Sequence, residues 1–171
     1  CLGAFAPIAP PIMSDATTAP KTAPKTYAVK SFGCQMNVYD GDRMGELMAA
    51  QGLTQVDAKD ADLVVLNTCH IREKATEKVY SDIGRLRKDA RAHGRSAPMI
   101  AVAGCVAQAE GEEIVRRAKV DVVVGPQAYH NLPALVARAA DGSPALDTDM
   151  PAASKFGALP ARRKVAPGAF L

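Results

Sequence analysis

The sequence is poor in aromatic residues and contains no tryptophan; four tyrosines and four phenylalanines occur in 171 residues. No apolar run approaches the ~20 residues that a membrane-spanning helix needs, so we expect no membrane partner. A glycine-rich phosphate loop is also missing, because residues 32–35 after the first apolar run hold a single glycine. A dinucleotide-binding fingerprint needs three glycines, which argues against a bound nucleotide.

Cysteine is scarce, with only Cys1, Cys34, Cys69 and Cys105 in the chain. No two of them form a C-x-x-C pair, which argues against a redox dithiol. Cys1 lies in a segment that we expect to be a tail. The other three are an odd number, which fits a disulfide framework poorly and a reduced, metal-binding site better.

The formal net charge of +3 is too small to indicate nucleic-acid binding by itself. Residues 27–142 hold fifteen basic and fifteen acidic side chains, so the surplus lies in the two ends. Five cations follow one predicted helix, namely Arg85, Arg87, Lys88, Arg91 and Arg95. They form either a phosphate-binding strip or a solvated face balanced by nearby aspartates, and we favour the solvated face. Residues 162–164 (RRK) carry a similar ambiguity.

Both ends of the sequence have the composition of unfolded segments. Residues 1–26 are rich in alanine, proline and threonine, and we expect a disordered tail with the natural start at Met13. Residues 27–142 form the predicted domain. From residue 143 onward four prolines interrupt small residues, so residues 143–171 are predicted to be a linker toward an absent domain.

Apolar runs alternate with helical stretches along the predicted domain. The predicted strands are 27–33, 62–67, 99–103 and 120–124, and the predicted helices are 38–51, 71–93, 107–118 and one around residues 132–139. The strands are continuous and rich in valine, as buried parallel strands are. We therefore predict an α/β fold, a doubly wound and mostly parallel sheet of the flavodoxin or Rossmann type with helices on both faces.

Cys34, Cys69 and Cys105 are separated by 35 and 36 residues, about one strand–helix unit each. Each follows a predicted strand, and the carboxyl ends of adjacent parallel strands meet at one edge of a sheet. Gly33 and Gly104 precede two of them and would let the backbone approach a bulky group. We predict that the three thiolates hold a metal cluster with one open coordination position.

Other interpretations of these positions stay open. A single cysteine at a strand end is often a small buried apolar residue, and zinc with His70 as a fourth ligand is a rival to the cluster. Asn37, Asn67 and Thr68 flank the cysteines and would either tune a cluster by hydrogen bonding or cap helices. We expect capping for Thr68 and a shaping of the rim of the site by Gly125.

Three short motifs carry a resemblance to a known family. They are residues 31–37 (SFGCQMN), 67–75 (NTCHIREKA) and 104–108 (GCVAQ). In order and spacing they resemble the motifs of the radical-SAM methylthiotransferases over roughly residues 26–141. Residues 35–36 and 71–75 are most similar to the MiaB-type branch, which modifies tRNA. The branch that acts on threonylcarbamoyl-adenosine in tRNA remains an alternative.

The resemblance implies a function and its cofactors. Cys34, Cys69 and Cys105 would hold an auxiliary [4Fe-4S] cluster in which one iron lacks a protein ligand. The whole enzyme would carry a second [4Fe-4S] cluster, cleave S-adenosylmethionine and add a 2-methylthio group to N6-isopentenyl-adenosine beside the tRNA anticodon. The resemblance further implies a cytoplasmic protein, and we expect a monomer.

The sequence departs from the family in one respect. It contains neither the C-x-x-x-C-x-x-C motif that holds the second cluster nor an RNA-binding β-barrel. By itself the chain should not cleave S-adenosylmethionine, and we interpret it as the amino-terminal, cluster-binding domain of a methylthiotransferase. The alternative from another class is a non-catalytic flavodoxin-like binding module whose cysteines are structural.

Overall fold

The computed structural model describes residues 22–33, 35–69 and 73–149, without the side chains of residues 73–75. Strands and helices alternate along these residues. Their bounds are β1 Thr26–Phe32, α1 Gln35–Ala50, β2 Thr54–Gln55, β3 Leu63–Thr68, α2 Glu73–Ala92, β4 Met99–Gly104, α3 Cys105–Ala118, β5 Val122–Val124, a 3₁₀ turn Tyr129–Asn131, α4 Leu132–Ala140 and β6 Ala145–Asp147. None of the helices within the described ranges is both long and apolar enough to cross a bilayer.

The strands form one sheet in the order β2-β1-β3-β4-β5-β6, and every neighbouring pair is parallel. The chain winds outward from β1 in one direction and from β3 in the other. This is the flavodoxin-type order, whose switch point lies between β1 and β3. The predicted α/β class with a doubly wound sheet is confirmed.

Two apolar layers cover the two faces of the sheet. Met44 and Met48 of α1 share one layer with Leu132 of α4. Val79 and Ile83 of α2 share the other with helix α3. All six residues of β3 are buried, because the strand lies between two covered faces in the middle of the sheet. The prediction of helices on both faces is confirmed.

Two helices begin earlier than the sequence pattern predicted. Helix α1 begins at Gln35 rather than at residue 38, and α3 begins at Cys105 rather than at residue 107. For α3 the reason is Gly104, whose backbone has φ 92° and ψ −161°. This conformation suits glycine and turns the chain sharply from strand to helix, so no connecting residues are needed.

A short strand lies in the first part of the segment 143–171, which the sequence predicted to be a linker. Residues Ala145–Asp147 form β6, which pairs with β5 through Val122 and Ala145. Ala145 is fully buried, so the sheet continues beyond the expected limit at residue 142. Three residues are too few to show a period in the sequence. Residues 1–21 of the predicted tail, which include Cys1 and Met13, lie outside the described residues. Residues 150–171 of the predicted linker, which include the basic residues 162–164, lie outside them as well.

Candidate cysteine site at the carboxyl edge of the sheet

The cysteine-bearing segments leave the sheet side by side. Phe32 is paired with Thr68, and Thr68 is paired with Gly104, so these three residues form one row across β1, β3 and β4. Cys69 and Cys105 each follow this row by one residue, and position 34 follows it by two. Neighbouring strands lie about 4.8 Å apart, so the row brings the three segments together at one edge. Cys34 itself lies outside the described residues.

Cys69 is buried and is packed against the backbone that precedes position 34. Its N–H donates a hydrogen bond to the carbonyl of Phe32 at 3.2 Å, and its side chain is 7% exposed. A Cβ atom added to Gly33 would lie 2.7 Å from the Cβ of Cys69. Gly33 also has φ 129°, so both the close approach and the backbone conformation require glycine there.

Cys105 has the opposite environment, since it is exposed and is the first residue of α3. Gly104 provides no side-chain hydrogen bond to the first N–H groups of this helix. The first N–H groups of a helix have no acceptor within the helix and can bind a group placed there. The side chain of Cys105 is therefore placed where it can bind a group at the surface.

At this edge, the end of β4 comes as close to the end of β3 as the residue after β1 does. A Cβ atom on Gly104 would lie 2.5 Å from the carbonyl oxygen of Thr68 and 2.6 Å from Oδ1 of Asn67. Both distances are below any normal van der Waals contact. The two glycines thus let the cysteine-bearing segments pack more closely than any residue with a side chain would allow.

The thiols that the structure describes are free. Neither Cys69 nor Cys105 forms a disulfide. Within the described part of the chain no group of three or more His, Cys, Asp or Glu side chains is arranged to hold a metal ion. The described part contains two of the three predicted cluster ligands, Cys69 and Cys105, and not Cys34. His70, the fourth ligand of the zinc hypothesis, also lies outside it. Two free thiols on neighbouring segments of one sheet edge are donors that suit an iron–sulfur cluster.

Two buried asparagines connect the segments around the site. Nδ2 of Asn67 donates to the carbonyl of Asn37 at 2.6 Å, and Nδ2 of Asn37 donates to the carbonyl of Phe32 at 3.3 Å. The hydroxyl of Thr68, which we expected to cap a helix, instead donates to the carbonyl of Ala103 at 3.3 Å. Thr68 is the last residue of β3, so its side chain bridges two strands.

Three of the five cations in and just after α2 have partners within the protein, and two of them contact residues toward the opposite edge of the sheet. Arg85 pairs with buried Asp82 at 3.0 Å, and Arg87 donates to the carbonyl of Lys119 at 2.7 Å. Arg95 follows the helix and contacts the carbonyl of Lys59 and the carboxylate of Asp60. Lys119 and Asp60 precede strands, whereas the cysteines follow them. This arrangement supports a solvated, internally balanced face over a phosphate-binding strip.

Gln108 is a residue of the third motif whose role the sequence did not reveal. Its Nε2 donates to the carbonyl of Thr148 at 2.7 Å, and its Oε1 lies against Gly125. The N–H of Gly125 donates to the carbonyl of Asp147 at 2.8 Å. The helix that begins at Cys105 is therefore tied to the segment by which the chain leaves β6. Its place three residues after Cys105, within the motif, was the available signal.

Replacing Gln108 by alanine should loosen this connection and leave the cysteine edge intact. The variant loses one hydrogen bond, which contributes about 1 kcal/mol. We expect amide hydrogen exchange to become several-fold faster at residues 147–149 and to stay unchanged in β3. The exposed Gln51, changed to alanine, is the matched control. Unchanged exchange at residues 147–149 would show that Gly125 alone holds the segment.

Comparison with known proteins adds to this geometry. Residues 26–125 match the family described as "Uncharacterized protein family UPF0004". The chain belongs to this family. The matched range covers more than half of the sequence and contains Cys34, Cys69 and Cys105.

Several curated relatives carry one name, tRNA-2-methylthio-N(6)-dimethylallyladenosine synthase. The relative from Novosphingobium aromaticivorans is 72% identical over 91% of this chain and 35% of its own length. The relative from Sphingopyxis alaskensis is 70% identical over 82% of this chain and 31% of its own. The relative from Erythrobacter litoralis is 65% identical over 89% of this chain and 34% of its own. The chain thus spans about a third of the length of these relatives.

These relatives confirm the resemblance to the MiaB-type methylthiotransferases. The sequence motifs alone had favoured that branch over the threonylcarbamoyl-adenosine branch, and the shared name of the relatives agrees with it. The ligand role of the three cysteines remains a prediction.

Proposed function

We propose that this chain is the auxiliary [4Fe-4S]-binding domain of a tRNA methylthiotransferase, with Cys34, Cys69 and Cys105 as the cluster ligands. The observation that carries the proposal is the row of Phe32, Thr68 and Gly104, which places three cysteine-bearing segments at one edge. The glycines at positions 33 and 104 support it, because they let these segments approach one another closely.

The three proposed ligands have different places in the site. Buried Cys69 anchors the centre of the site, and exposed Cys105 provides a sulfur ligand at the surface, at the amino end of α3. Position 34 completes the set from the β1 side. With three protein ligands for four irons, the chemistry that the bound cluster supplies is sulfur transfer at the iron that has no protein ligand.

The remaining parts of the activity are proposed for the whole protein. Its substrate is an adenosine that carries an N6-dimethylallyl (isopentenyl) group beside the anticodon of a tRNA. S-adenosylmethionine and a second [4Fe-4S] cluster are needed as well, and the 171 residues contain no C-x-x-x-C-x-x-C motif to hold that cluster. The isolated chain is therefore expected to bind a cluster without performing the reaction. We propose that the protein works in the cytoplasm as a monomer.

A second candidate is a flavodoxin-like binding module, which the strand order favours. In that fold a ligand binds at the switch point between β1 and β3. Against it, the turn after β1 has one glycine where phosphate binding needs several backbone N–H groups in a glycine-rich loop. Flavin and nucleotide binding by the untreated chain would distinguish this candidate from a cluster domain.

Anaerobic reconstitution of the 171-residue chain with iron and sulfide tests the proposal. We expect about four irons and four sulfides per chain after gel filtration, together with a brown visible absorption. Because the sequence has no second cluster motif, the iron content reports this site alone. Iron at background level, or zinc retained at one ion per chain, would contradict the proposal. Saturable binding of flavin without iron uptake would favour the second candidate.

A further inference from the structure

The side chain of Asn67 is buried between the segments that carry the three cysteines. It is 1% exposed and lies two residues before Cys69 on β3. Its Nδ2 donates to the carbonyl of Asn37, in the first turn of the helix that follows position 34. Its Oδ1 lies against Gly104, so close that a Cβ atom there would be 2.6 Å away. One buried amide thus contacts the segments of all three cysteines.

The contact on the β1 side continues through Asn37. Its own Nδ2 donates to the carbonyl of Phe32, and this amide lies 3.6 Å from the position of a Cβ atom on Gly33. Two hydrogen bonds therefore connect the end of β1 through Asn37 to Asn67, and Oδ1 of Asn67 packs against Gly104 at the end of β4. A buried polar chain of this kind is costly unless it is satisfied, and once satisfied it fixes one arrangement.

We propose that Asn67 is a positioning residue, which sets the separation of the Cys34, Cys69 and Cys105 segments so that three thiolates can bind one metal centre. The inference rests on the proposed function and goes beyond it, since the amide is used within the protein rather than on the cluster. The hydrogen bond to Asn37 holds the β1 side, and the contact with Gly104 holds the β4 side. Residues that orient metal ligands in this way typically affect metal affinity 10- to 100-fold.

The test compares Asn67→Ala with Asp121→Ala in the full 171-residue chain. Asp121 is a buried polar residue immediately before β5, and it accepts a hydrogen bond from the N–H of Ile100 at 2.8 Å. That bond lies at the amino edge, at the start of β4 and away from the cysteines. Both variants therefore lose a buried polar interaction, and only Asn67→Ala should change the metal site.

Two measurements are made on each variant. Titration of the reduced apo chain with Co²⁺, followed by its thiolate-to-metal absorption, needs no cluster and no enzymatic activity. We expect the apparent Co²⁺ affinity of Asn67→Ala to fall at least about tenfold and that of Asp121→Ala to stay within about twofold of the unchanged chain. The reduction potential and EPR spectrum of the reconstituted cluster should also shift for Asn67→Ala alone.

The outcomes separate the two proposals. If the unchanged chain takes up iron and both variants match it in Co²⁺ affinity and cluster spectrum, the positioning role is refuted while the proposed function stands. If the unchanged chain binds no cluster, the proposed function fails first. Should Asn67→Ala lose its cooperative unfolding transition, Asn67→Ser replaces it, because serine is uncharged and polar and lacks the amide group that donates to Asn37. A Co²⁺ affinity of Asn67→Ser equal to that of the unchanged chain would equally refute the role.

Discussion

The Cys105→Ala chain should fold like the unchanged chain and fail to retain an iron–sulfur cluster. Cys105 is exposed, so its side chain contributes little packing, and an exposed substitution usually changes stability by less than about 0.5 kcal/mol. Removal of a residue that only orients a metal ligand lowers metal affinity about 10- to 100-fold. Removal of a ligand itself should lower metal affinity by more. We therefore expect iron per chain after gel filtration to fall at least tenfold, with an unchanged urea midpoint for the apo chain.

Two further cysteine variants make this result specific. Cys1→Ala removes a thiol outside the described residues and should leave iron uptake unchanged. Cys69→Ala should abolish uptake as well, but it removes a buried sulfur and should lower the free energy of unfolding by about 1 kcal/mol. Iron retention by Cys105→Ala equal to that of the unchanged chain would remove Cys105 from the ligand set and leave zinc or a structural role to be considered.

Among the described glycines near the site, Gly104 is the one whose replacement by alanine should destabilise the fold most. The new Cβ atom would lie 2.5 Å from the backbone carbonyl oxygen of Thr68, and φ is 92°. Backbone strain of this kind costs about 1–3 kcal/mol, and overpacking adds about 1–3 kcal/mol. We expect the free energy of unfolding to fall by about 3 kcal/mol in urea titrations of the apo chain, and cluster uptake to fall with it.

Gly52 separates the two contributions, because it has a similar φ of 86° and no atom within 4 Å of the added Cβ. Gly52→Ala should therefore carry the strain alone and cost about 1 kcal/mol. Gly84→Ala, in an open position of α2, should be neutral or slightly stabilising because alanine favours helices. Equal losses of unfolding free energy for Gly104→Ala and Gly52→Ala would mean that β3 can move away from β4 without cost. That result would contradict the close packing of Gly104 against Thr68.

The fold was predictable from the sequence because a sheet buried on both faces demands apolar strands. Residues 63–66 (LVVL) and 122–124 (VVV) are such runs, and each belongs to an interior strand of the sheet. The elements that were missed are the short ones. Thr54–Gln55 and Ala145–Asp147 take part in the sheet only because a neighbouring strand is in place, so their local sequence holds no period to read.

The site was predictable in part, and the reason is similar. The positions of Cys69 and Cys105 follow from strand ends, which the sequence marks clearly. The role of Asn67 depends on Asn37, thirty residues away, and on the backbone of Gly104 in the next strand. A contact that exists only after three strands have docked leaves no trace in the local pattern, so the sequence suggested helix capping or cluster contact as equally good readings of an asparagine.

The row of Phe32, Thr68 and Gly104 also has a consequence for the stage at which iron could bind. The three cysteines come from successive strand–helix units, so no short peptide contains the complete site, in contrast to a zinc finger that folds around its metal. During synthesis the ligands of the first two units emerge before β4 exists. Under the proposed ligand assignment, iron can be loaded only onto a chain that has already folded through β4. Bound iron would then mark a properly assembled sheet, and a misfolded chain would stay empty.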